Sequence, residues 1–138
     1  PLYSSAASDV YKRQDLLSMS EVKNISFYQH DINSSEFNLL AKNYFNEVDL
    51  VLSDMSVNLS GISIKDEEEN KELNYSTINL SKKLLKKRGN LLIKTFNNRH
   101  LPEIKSLFKG LFNKVIAEKP PASKTSSKEV YLLGLDLK

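Results

Sequence analysis

The stretch Val-Asp-Leu-Val-Leu-Ser-Asp, residues 48–54, decides the fold class. Its first six residues are mostly aliphatic with little alternation, which is typical of a strand that is buried on both faces in a parallel sheet. A polar loop follows and closes with Ser60-Gly61. We therefore predict an α/β fold with a parallel sheet, in which Asp54 stands at the carboxyl end of a core strand.

Strand and helix patterns alternate on both sides of this stretch. Upstream, residues 24–29 predict a short strand, and Ser34 or Ser35 can cap a helix that runs to about Phe45. Its apolar face contains Phe37, Leu40, Ala41 and Tyr44. Strands that alternate with helices indicate a doubly wound sheet, because each crossover helix returns the chain to a parallel neighbour.

A second helix is predicted downstream, where Asp66 and Glu69 have capping-box spacing. Its apolar face contains Leu73, Thr77, Leu80 and Leu84. Lys86, Lys87 and Arg88 complement the helix dipole at the far end, and Gly89 supplies the stop.

The rest of the chain predicts a core strand over residues 90–96, a helix over Leu101–Phe112, a strand over residues 114–118 and a last strand over residues 130–137. A loop without a helix joins the last two strands, so the final strand should be antiparallel.

Composition sets limits on the class of protein. The 138 residues suit one domain, and 40% hydrophobic with 27% charged residues excludes a disordered chain. The sequence has no cysteine, two histidines, no apolar run long enough to span a bilayer and no secretory pattern. We expect a cytoplasmic protein with no metal site and no membrane partner.

The net charge of +3 is small, but lysine and arginine outnumber acids after Lys82. A basic surface of this kind can face a polyanion, but charge alone favours a solvated lysine-rich surface. The sequence of residues 1–14 lacks a period and is similar to a translated sequencing adaptor. We expect these residues to be a foreign or disordered leader and exclude them from the fold.

Polar residues at strand ends are the candidates for chemistry, because open α/β sheets bind ligands at the carboxyl ends of their strands. Asp31 and Asp54 follow strands, Glu129 begins one, and Lys94 lies inside the apolar strand 90–96. A lysine in a core strand needs carboxylate partners. Taken singly, each residue also fits a purely structural role. Lys94 could be an edge lysine, Asp54 a loop cap and Glu129 a solvated strand end.

Several segments together resemble the FtsJ-like RNA ribose 2′-O-methyltransferases. Residues 53–61, Ser-Asp-Met-Ser-Val-Asn-Leu-Ser-Gly, are similar to a Ser-Asp-Met-Ala-Pro-Asn-x-Ser-Gly segment of that family. Four further matches follow the family's order: Asp-Leu-Leu-Ser-Met at 15–19, His-Asp at 30–31, Ile-Lys-Thr-Phe at 93–96, and Lys-Pro, Ser-Lys and Ser-Lys-Glu-Val-Tyr within 119–131. Val57 replaces the usual proline and Lys124 the usual arginine.

The resemblance implies a Rossmann-like S-adenosylmethionine-dependent methyltransferase sheet, mostly parallel with an antiparallel last strand. The family has a Lys-Asp-Lys-Glu tetrad, and Asp54, Lys94 and Glu129 fill its last three positions. The first lysine, the glycine-rich cofactor loop and the first strands are expected upstream of this sequence. The resemblance therefore implies the strand order 24–29 at the outside, a gap where the absent first strand belongs, and then 48–53, 90–96, 129–137 and 114–118. Residues 15–138 are therefore interpreted as the C-terminal portion of a single methyltransferase domain, and we expect this piece to be inactive alone.

The resemblance also implies roles for individual side chains. Asp15 would accept hydrogen bonds from the cofactor ribose and Asp31 from the adenine amino group, with Asp54 beside them. Lys94 would act on the ribose 2′-hydroxyl as base or steering group, oriented by Asp54 and Glu129. The expected RNA contacts are Lys119, Lys124 and Lys128.

The implied reaction is methyl transfer to a uridine ribose of 23S ribosomal RNA in the large subunit, by a monomer. A transfer RNA substrate is the alternative within the same class. A non-catalytic RNA-binding fragment is the alternative from a different class.

Overall fold

The computed structural model describes residues 11–15, 17–45, 47–121 and 127–138. They belong to two units, residues 1–45 and residues 46–138, which are taken one at a time. None of the helices in these described stretches is both long and apolar enough to cross a membrane.

The first unit contains two parallel strands and one helix: β1 (Tyr11–Asp15), β2 (Ile25–Gln29) and α1 (Ser35–Tyr44). Ser34 caps α1 as predicted, because its Oγ accepts a hydrogen bond from the backbone N–H of Phe37 at 3.0 Å. Phe37, Ala41 and Phe45 are buried, and the Phe37 and Phe45 rings meet edge to face at 5.9 Å.

Strand β1 corrects one expectation, because it includes residues 11–14 of the segment that was excluded from the fold. Tyr11 pairs with Ile25 and Asp15 with Gln29. The sequence interpretation looked for a hydrophobic period and found none in these residues. The strand forms through backbone pairing with β2, which requires no such period. The foreign origin of residues 1–14 stays a prediction, and residues 1–10 lie outside the described ones.

The second unit is a four-stranded sheet with two helices. Its elements are β3 (Val48–Ser53), α2 (Ser63–Leu84), β4 (Leu85–Phe96), α3 (Leu101–Leu111), β5 (Phe112–Glu118) and β6 (Glu129–Leu137). The strand order is β3-β4-β6-β5, with β3 parallel to β4 and β6 antiparallel to both neighbours. The predicted order of these four strands and the antiparallel last strand are confirmed. Strand β2 pairs with β1 in a separate two-stranded sheet.

Both helices of this unit cover the same face of the sheet. Leu91 and Ile93 on β4 and Leu132 on β6 are buried in one cluster with Ile104 and Phe108 of α3. Asn74 of α2 is hydrogen-bonded to Thr95 on the same face of β4. Because side chains alternate along a strand, Lys94 points to the opposite face of the sheet.

The boundary between α2 and β4 differs from the sequence prediction. The helix begins at Ser63, three residues before Asp66, and ends at Leu84. Residues 85–89 then belong to β4, so Gly89 is not a helix stop. The difference is due to a tertiary interaction. Leu85 pairs with Val48 of β3, so residues 85–89 belong to β4 where the sequence pattern predicts the last turn of the helix.

The buried face of α2 is also more polar than predicted. Thr77 and Leu84 are buried as expected, whereas Leu73 and Leu80 are only half-buried. The buried positions also include Asn70, Asn74 and Ser81. Ser81 donates to the carbonyl of Thr77 at 2.7 Å, which satisfies its hydroxyl inside the helix.

Candidate functional site

Lys94 and Asp54 meet at the carboxyl ends of two adjacent parallel strands. Asp54 directly follows β3, and Lys94 lies near the end of β4. The Lys94 Nζ is 3.1 Å from the Asp54 Oδ1; 12% of the lysine side chain is exposed against 76% of the aspartate side chain. The mostly buried ammonium therefore has the carboxylate partner that its position requires.

Tyr131 joins this pair from the neighbouring strand. It lies directly opposite Lys94 in the antiparallel β4–β6 register, so both side chains are on the same face of the sheet. The Tyr131 hydroxyl donates to the Asp54 Oδ1 at 3.3 Å. The same carboxylate oxygen of Asp54 thus forms a salt bridge with Lys94 and accepts a hydrogen bond from Tyr131.

The electrostatic environment raises the pKa of the Tyr131 hydroxyl above its usual value of 10.0. Burial is the main cause, and the negative charge of Asp54 adds to it, while the Lys94 charge acts in the opposite direction. The phenol is therefore neutral at physiological pH and available as a hydrogen-bond donor.

Glu129 lies on the same face of the sheet but does not bind Lys94 directly. It is two residues from Tyr131 along β6 and opposite Phe96 on β4. The negative charge of Glu129 contributes to the raised pKa of Tyr131, so Glu129 acts on the Tyr131 hydroxyl through its charge. In the described part of the chain no ion pair joins Glu129 to Lys94.

The loop after Asp54 is fixed to the start of α2. Asp66 accepts hydrogen bonds from the Ser60 hydroxyl at 2.6 Å, the Ser60 N–H at 2.8 Å and the Gly61 N–H at 3.3 Å. These bonds, led by the Ser60 hydroxyl, lower the pKa of Asp66. Gly61 has a φ of 82°, a conformation that favours glycine. The loop is thereby closed without the proline that Val57 replaces.

A buried polar cluster lies beneath β4 next to Lys94. The Asn74 side-chain amide donates to the Thr95 hydroxyl at 2.7 Å and to the Asn70 Oδ1 at 3.2 Å. All three residues are buried. The cluster holds α2 against β4 one residue from Lys94.

The candidate cofactor residues of the first unit lie at one end of its two strands. Asp15 ends β1, and its carboxylate accepts the Leu17 N–H at 3.1 Å. Asp31 follows β2, and its carboxylate accepts the Asn33 N–H at 2.8 Å. Because β1 and β2 are parallel, both carboxylates are at the carboxyl end of this sheet. Their binding roles stay a prediction.

Two of the three candidate RNA-binding lysines are described. Lys119 follows β5 and donates to the carbonyl of Ser127 at 2.6 Å, and Lys128 precedes β6. Both are exposed near the end of the sheet that carries Asp54. Lys124 lies outside the described residues. Among the described residues, no three histidine, aspartate or glutamate side chains are grouped to hold a metal ion.

Sequence reasoning missed one residue of the site. Tyr131 was matched as part of a motif, but no role followed from it. Its position two residues after Glu129 put it on the same strand face. The sequence could not reveal that Tyr131 faces Lys94, because the register of the β4–β6 pair is a long-range property of the folded sheet.

The sequence matches the family described as FtsJ-like methyltransferase over residues 4–137. A relative from Polynucleobacter asymbioticus named ribosomal RNA large subunit methyltransferase E is 39% identical over 129 residues. The match covers 90% of this chain and 58% of that relative. A relative of the same name from Methylobacillus flagellatus is 38% identical, with 88% and 59% covered. The chain therefore spans somewhat more than half the length of these relatives.

Solved structures agree in fold. A Plasmodium falciparum protein, described as a ribosomal RNA methyltransferase, superimposes with a TM-score of 0.81 at 22% identity, covering 92% of this chain and 71% of that one. Human methyltransferase-like protein 13, solved in complex with SAH, gives a TM-score of 0.58 at 12% identity, covering 87% and 52%. The extent of the sequence match decides the assignment: the chain belongs to the FtsJ-like methyltransferase family.

Proposed function

We propose that this chain takes part in methyl transfer from S-adenosylmethionine to the ribose 2′-hydroxyl of a uridine in 23S ribosomal RNA. The observation that carries the proposal is the 3.1 Å contact between the Lys94 Nζ and the Asp54 Oδ1 at adjacent strand ends. Family membership and the names of the relatives support the reaction and the substrate.

The proposed cofactor contacts are the strand-end carboxylates that the family resemblance implies. Carboxylates accept hydrogen bonds from hydroxyl and amino groups, which suits Asp15 for a ribose and Asp31 for an adenine amino group. In the second unit, the proposed cofactor contact is Asp54, whose carboxylate is largely exposed. When bound, S-adenosylmethionine supplies an electrophilic methyl group on a sulfonium.

Lys94 is the residue proposed to act on the ribose 2′-hydroxyl, a poor nucleophile until its proton is removed or polarised. As a base, Lys94 accepts the hydroxyl proton; as an ammonium, it fixes the oxygen by donating to it. Asp54 holds Nζ in place for either role, and Tyr131 holds the same carboxylate oxygen. Glu129 acts at longer range through charge. Positioning of this kind is worth up to about 7–11 kcal/mol of barrier.

The substrate partner is proposed to be ribosomal RNA of the large subunit, in the cytoplasm, with the chain acting as a monomer. The proposed phosphate contacts are Lys119, Lys124 and Lys128. Lys119 and Lys128 lie near the end of the sheet that carries Asp54 and Lys94, which we call the catalytic end. Lysines attract phosphate as point charges and need no bidentate geometry.

Transfer of a labelled methyl group to unmethylated large ribosomal subunits tests the proposal. We would assay the 138-residue chain and a chimera that joins it to the part of the Polynucleobacter asymbioticus relative that it does not match. Lys94→Ala should lower the rate of transfer by about 10²–10⁴-fold. Lys65→Ala, at an exposed lysine of α2, is the control and should leave the rate unchanged.

Two further experiments distinguish the two possible roles of Lys94 and the two possible RNA substrates. Lys94→Arg keeps a positive charge but cannot accept a proton, so it retains activity only if Lys94 steers the hydroxyl. Transfer RNA replaces the ribosomal subunit in a parallel reaction. Transfer that is indifferent to Lys94→Ala would refute the assignment of Lys94, and preferential methylation of transfer RNA would refute the ribosomal substrate.

A further inference from the structure

Five exposed cations are concentrated at the end of the four-stranded sheet that is opposite Lys94. Lys82 and Lys83 occupy the last turn of α2, and Lys86, Lys87 and Arg88 begin β4. We call these five residues the rear cluster. Regular pairing of β4 resumes at Asn90, four residues before Lys94, which corresponds to about 13 Å at ~3.3 Å per residue. The rear cluster precedes Asn90 along the chain.

A bulge in β4 presents three of these cations to solvent. Val48 pairs with Leu85 and Leu50 with Asn90, so Asp49 alone faces residues 86–89. The chain must therefore protrude between the two paired positions. Gly89 closes the bulge, because a Cβ there would approach the Lys86 carbonyl oxygen to 2.9 Å and the Asp49 carbonyl oxygen to 3.2 Å. Backbone pairing on both sides thus fixes where the cations lie.

Most of the positive charge of the rear cluster is not neutralised locally. Lys86 pairs with Asp49, and Arg88 pairs with Asp136 at 3.2 Å. Within the described stretches of the chain, Lys82, Lys83 and Lys87 take part in no salt bridge. The helix dipole accounts for Lys82 and Lys83, but Lys86, Lys87 and Arg88 lie beyond the end of α2 and are not explained by it.

We propose that the rear cluster binds the phosphate backbone of RNA as a second contact, separate from the catalytic end. This inference goes beyond the proposed function, since it requires RNA binding but no catalysis. Lysine is depleted at the cores of protein–protein interfaces, whereas Lys and Arg supply most contacts to phosphate. A cluster of four lysines and one arginine, without an aromatic residue, therefore suits RNA better than an acidic protein. An RNA that touches both ends must extend well past its target nucleotide.

Fluorescence anisotropy of a fluorescein-labelled RNA hairpin, titrated with the 138-residue chain at several salt concentrations, tests the proposal. The test variant is Lys82→Gln/Lys83→Gln/Lys87→Gln, which leaves the partners of Asp49 and Asp136 in place. The dissociation constant should rise about tenfold or more. The slope of its logarithm against log salt should fall by about 2–3, as expected for the loss of three phosphate contacts.

A charge-matched control is Lys23→Gln/Lys42→Gln/Lys65→Gln, at three lysines that are also exposed. It should change the dissociation constant by less than about twofold, because loss of net charge alone is a weaker effect than loss of direct phosphate contacts. Thermal unfolding of both variants checks that they fold, since exposed substitutions of this kind change stability little. Equal affinities of the rear variant and the control would overturn the proposal.

Two further arms separate this proposal from its rivals. If Lys119→Gln/Lys128→Gln weakens RNA binding and the rear variant does not, the rear contact is refuted while the RNA contacts of the proposed function stand. The reverse result supports the rear contact and refutes those contacts. Poly-L-glutamate replaces the RNA in a parallel titration: a rear variant that loses only poly-L-glutamate binding would overturn the proposal in favour of an acidic protein partner.

Discussion

Lys94 and Tyr131 face each other across the β4–β6 pair and both bind the same oxygen of Asp54, at 3.1 Å and 3.3 Å respectively. The carboxylate is thus held from two strands, although its own side chain is largely exposed and follows β3 rather than lying within it. An exposed side chain with one partner samples several rotamers. A second partner at the same oxygen restricts Asp54 and, through it, the Lys94 Nζ.

Tyr131→Phe should therefore impair methyl transfer without removing any group that touches the proposed substrate. A single hydrogen bond contributes about 0.5–1.5 kcal/mol, so we expect the turnover rate to fall about 2–13-fold with little change in KM. Steady-state kinetics of the chimera with ribosomal subunits measure both constants.

Tyr75→Phe is the matched control, because its hydroxyl donates to Glu103 of α3 instead. It should leave turnover unchanged. If Tyr131→Phe raises KM and leaves turnover intact, or if both tyrosine variants behave alike, the positioning role of Tyr131 is wrong.

Acid stability should depend on Asp66. Its pKa in the folded chain is lower than its usual value of 3.8, chiefly because of the Ser60 hydroxyl. A depressed pKa contributes stability that is present above pH 3.8 and is lost as the pH falls through the folded pKa. In urea unfolding as a function of pH, Asp66→Asn should flatten the acid limb of the free energy of unfolding.

Glu69→Gln, three residues along the same helix, is the comparison for that experiment. Its carboxylate forms only an exposed ion pair with Lys65 at 3.6 Å, and exposed pairs contribute little. Its acid limb should match that of the unmodified chain. An Asp66→Asn variant with an unaltered acid limb would show that the Ser60–Asp66 bonds do not stabilise the fold.

The sequence predicted the parts of this structure that local pattern determines. The strand at 48–53 followed from its aliphatic run, and the antiparallel last strand from the connection without a helix, whereas the order of the four strands followed from the family resemblance. The contact between Lys94 and Asp54 followed from their strand-end positions together with the tetrad that the family resemblance implies. The end of α2 was mispredicted because helical periodicity continues through Leu84 and Leu85, while pairing of Leu85 with Val48 is a long-range interaction.

The same limit explains what was missed in the site and in the core. The buried stripe of α2 contains Asn70 and Asn74, which no hydrophobic period marks as internal. Their burial is accompanied by hydrogen bonds, because the Asn74 amide donates to the Thr95 hydroxyl of β4 and to the Asn70 amide oxygen. The role of Tyr131 likewise depends on a register that only the folded sheet defines.

The cluster of Thr95 and the two asparagines should be costly to disrupt. Thr95→Val keeps the shape of the side chain but leaves the buried Asn74 amide without its 2.7 Å acceptor. An unsatisfied buried donor costs about 1–3 kcal/mol. Thr77→Val is the control, because the Thr77 hydroxyl bonds only to the carbonyl of Leu73 within the helix. Denaturant unfolding that shows an equal loss for both variants would rule out a special contribution from the cluster.

Gly134 is the position of β6 that should tolerate a side chain least. A Cβ there would lie 2.4 Å from the Cδ2 of Phe112, a buried ring in the core cluster. The ring would have to move, and overpacking of this kind costs about 1–3 kcal/mol. Gly134→Ala should therefore lower the free energy of unfolding by that amount.

Gly110→Ala provides the opposite expectation within the same unit. Gly110 lies in α3, and a Cβ there would meet no atom within 4 Å. Alanine in a helix is favoured over glycine by roughly 0.5–1 kcal/mol, so this variant should be more stable than the unmodified chain. The two alanine substitutions, compared by chemical denaturation, should thus change stability in opposite directions.

A double variant tests the cause of the cost at Gly134. Phe112→Leu, combined with Gly134→Ala, should cost less than the sum of the single changes, because the smaller side chain removes the clash. Additive costs in this double variant would mean that the Phe112 ring is not what excludes a side chain at Gly134.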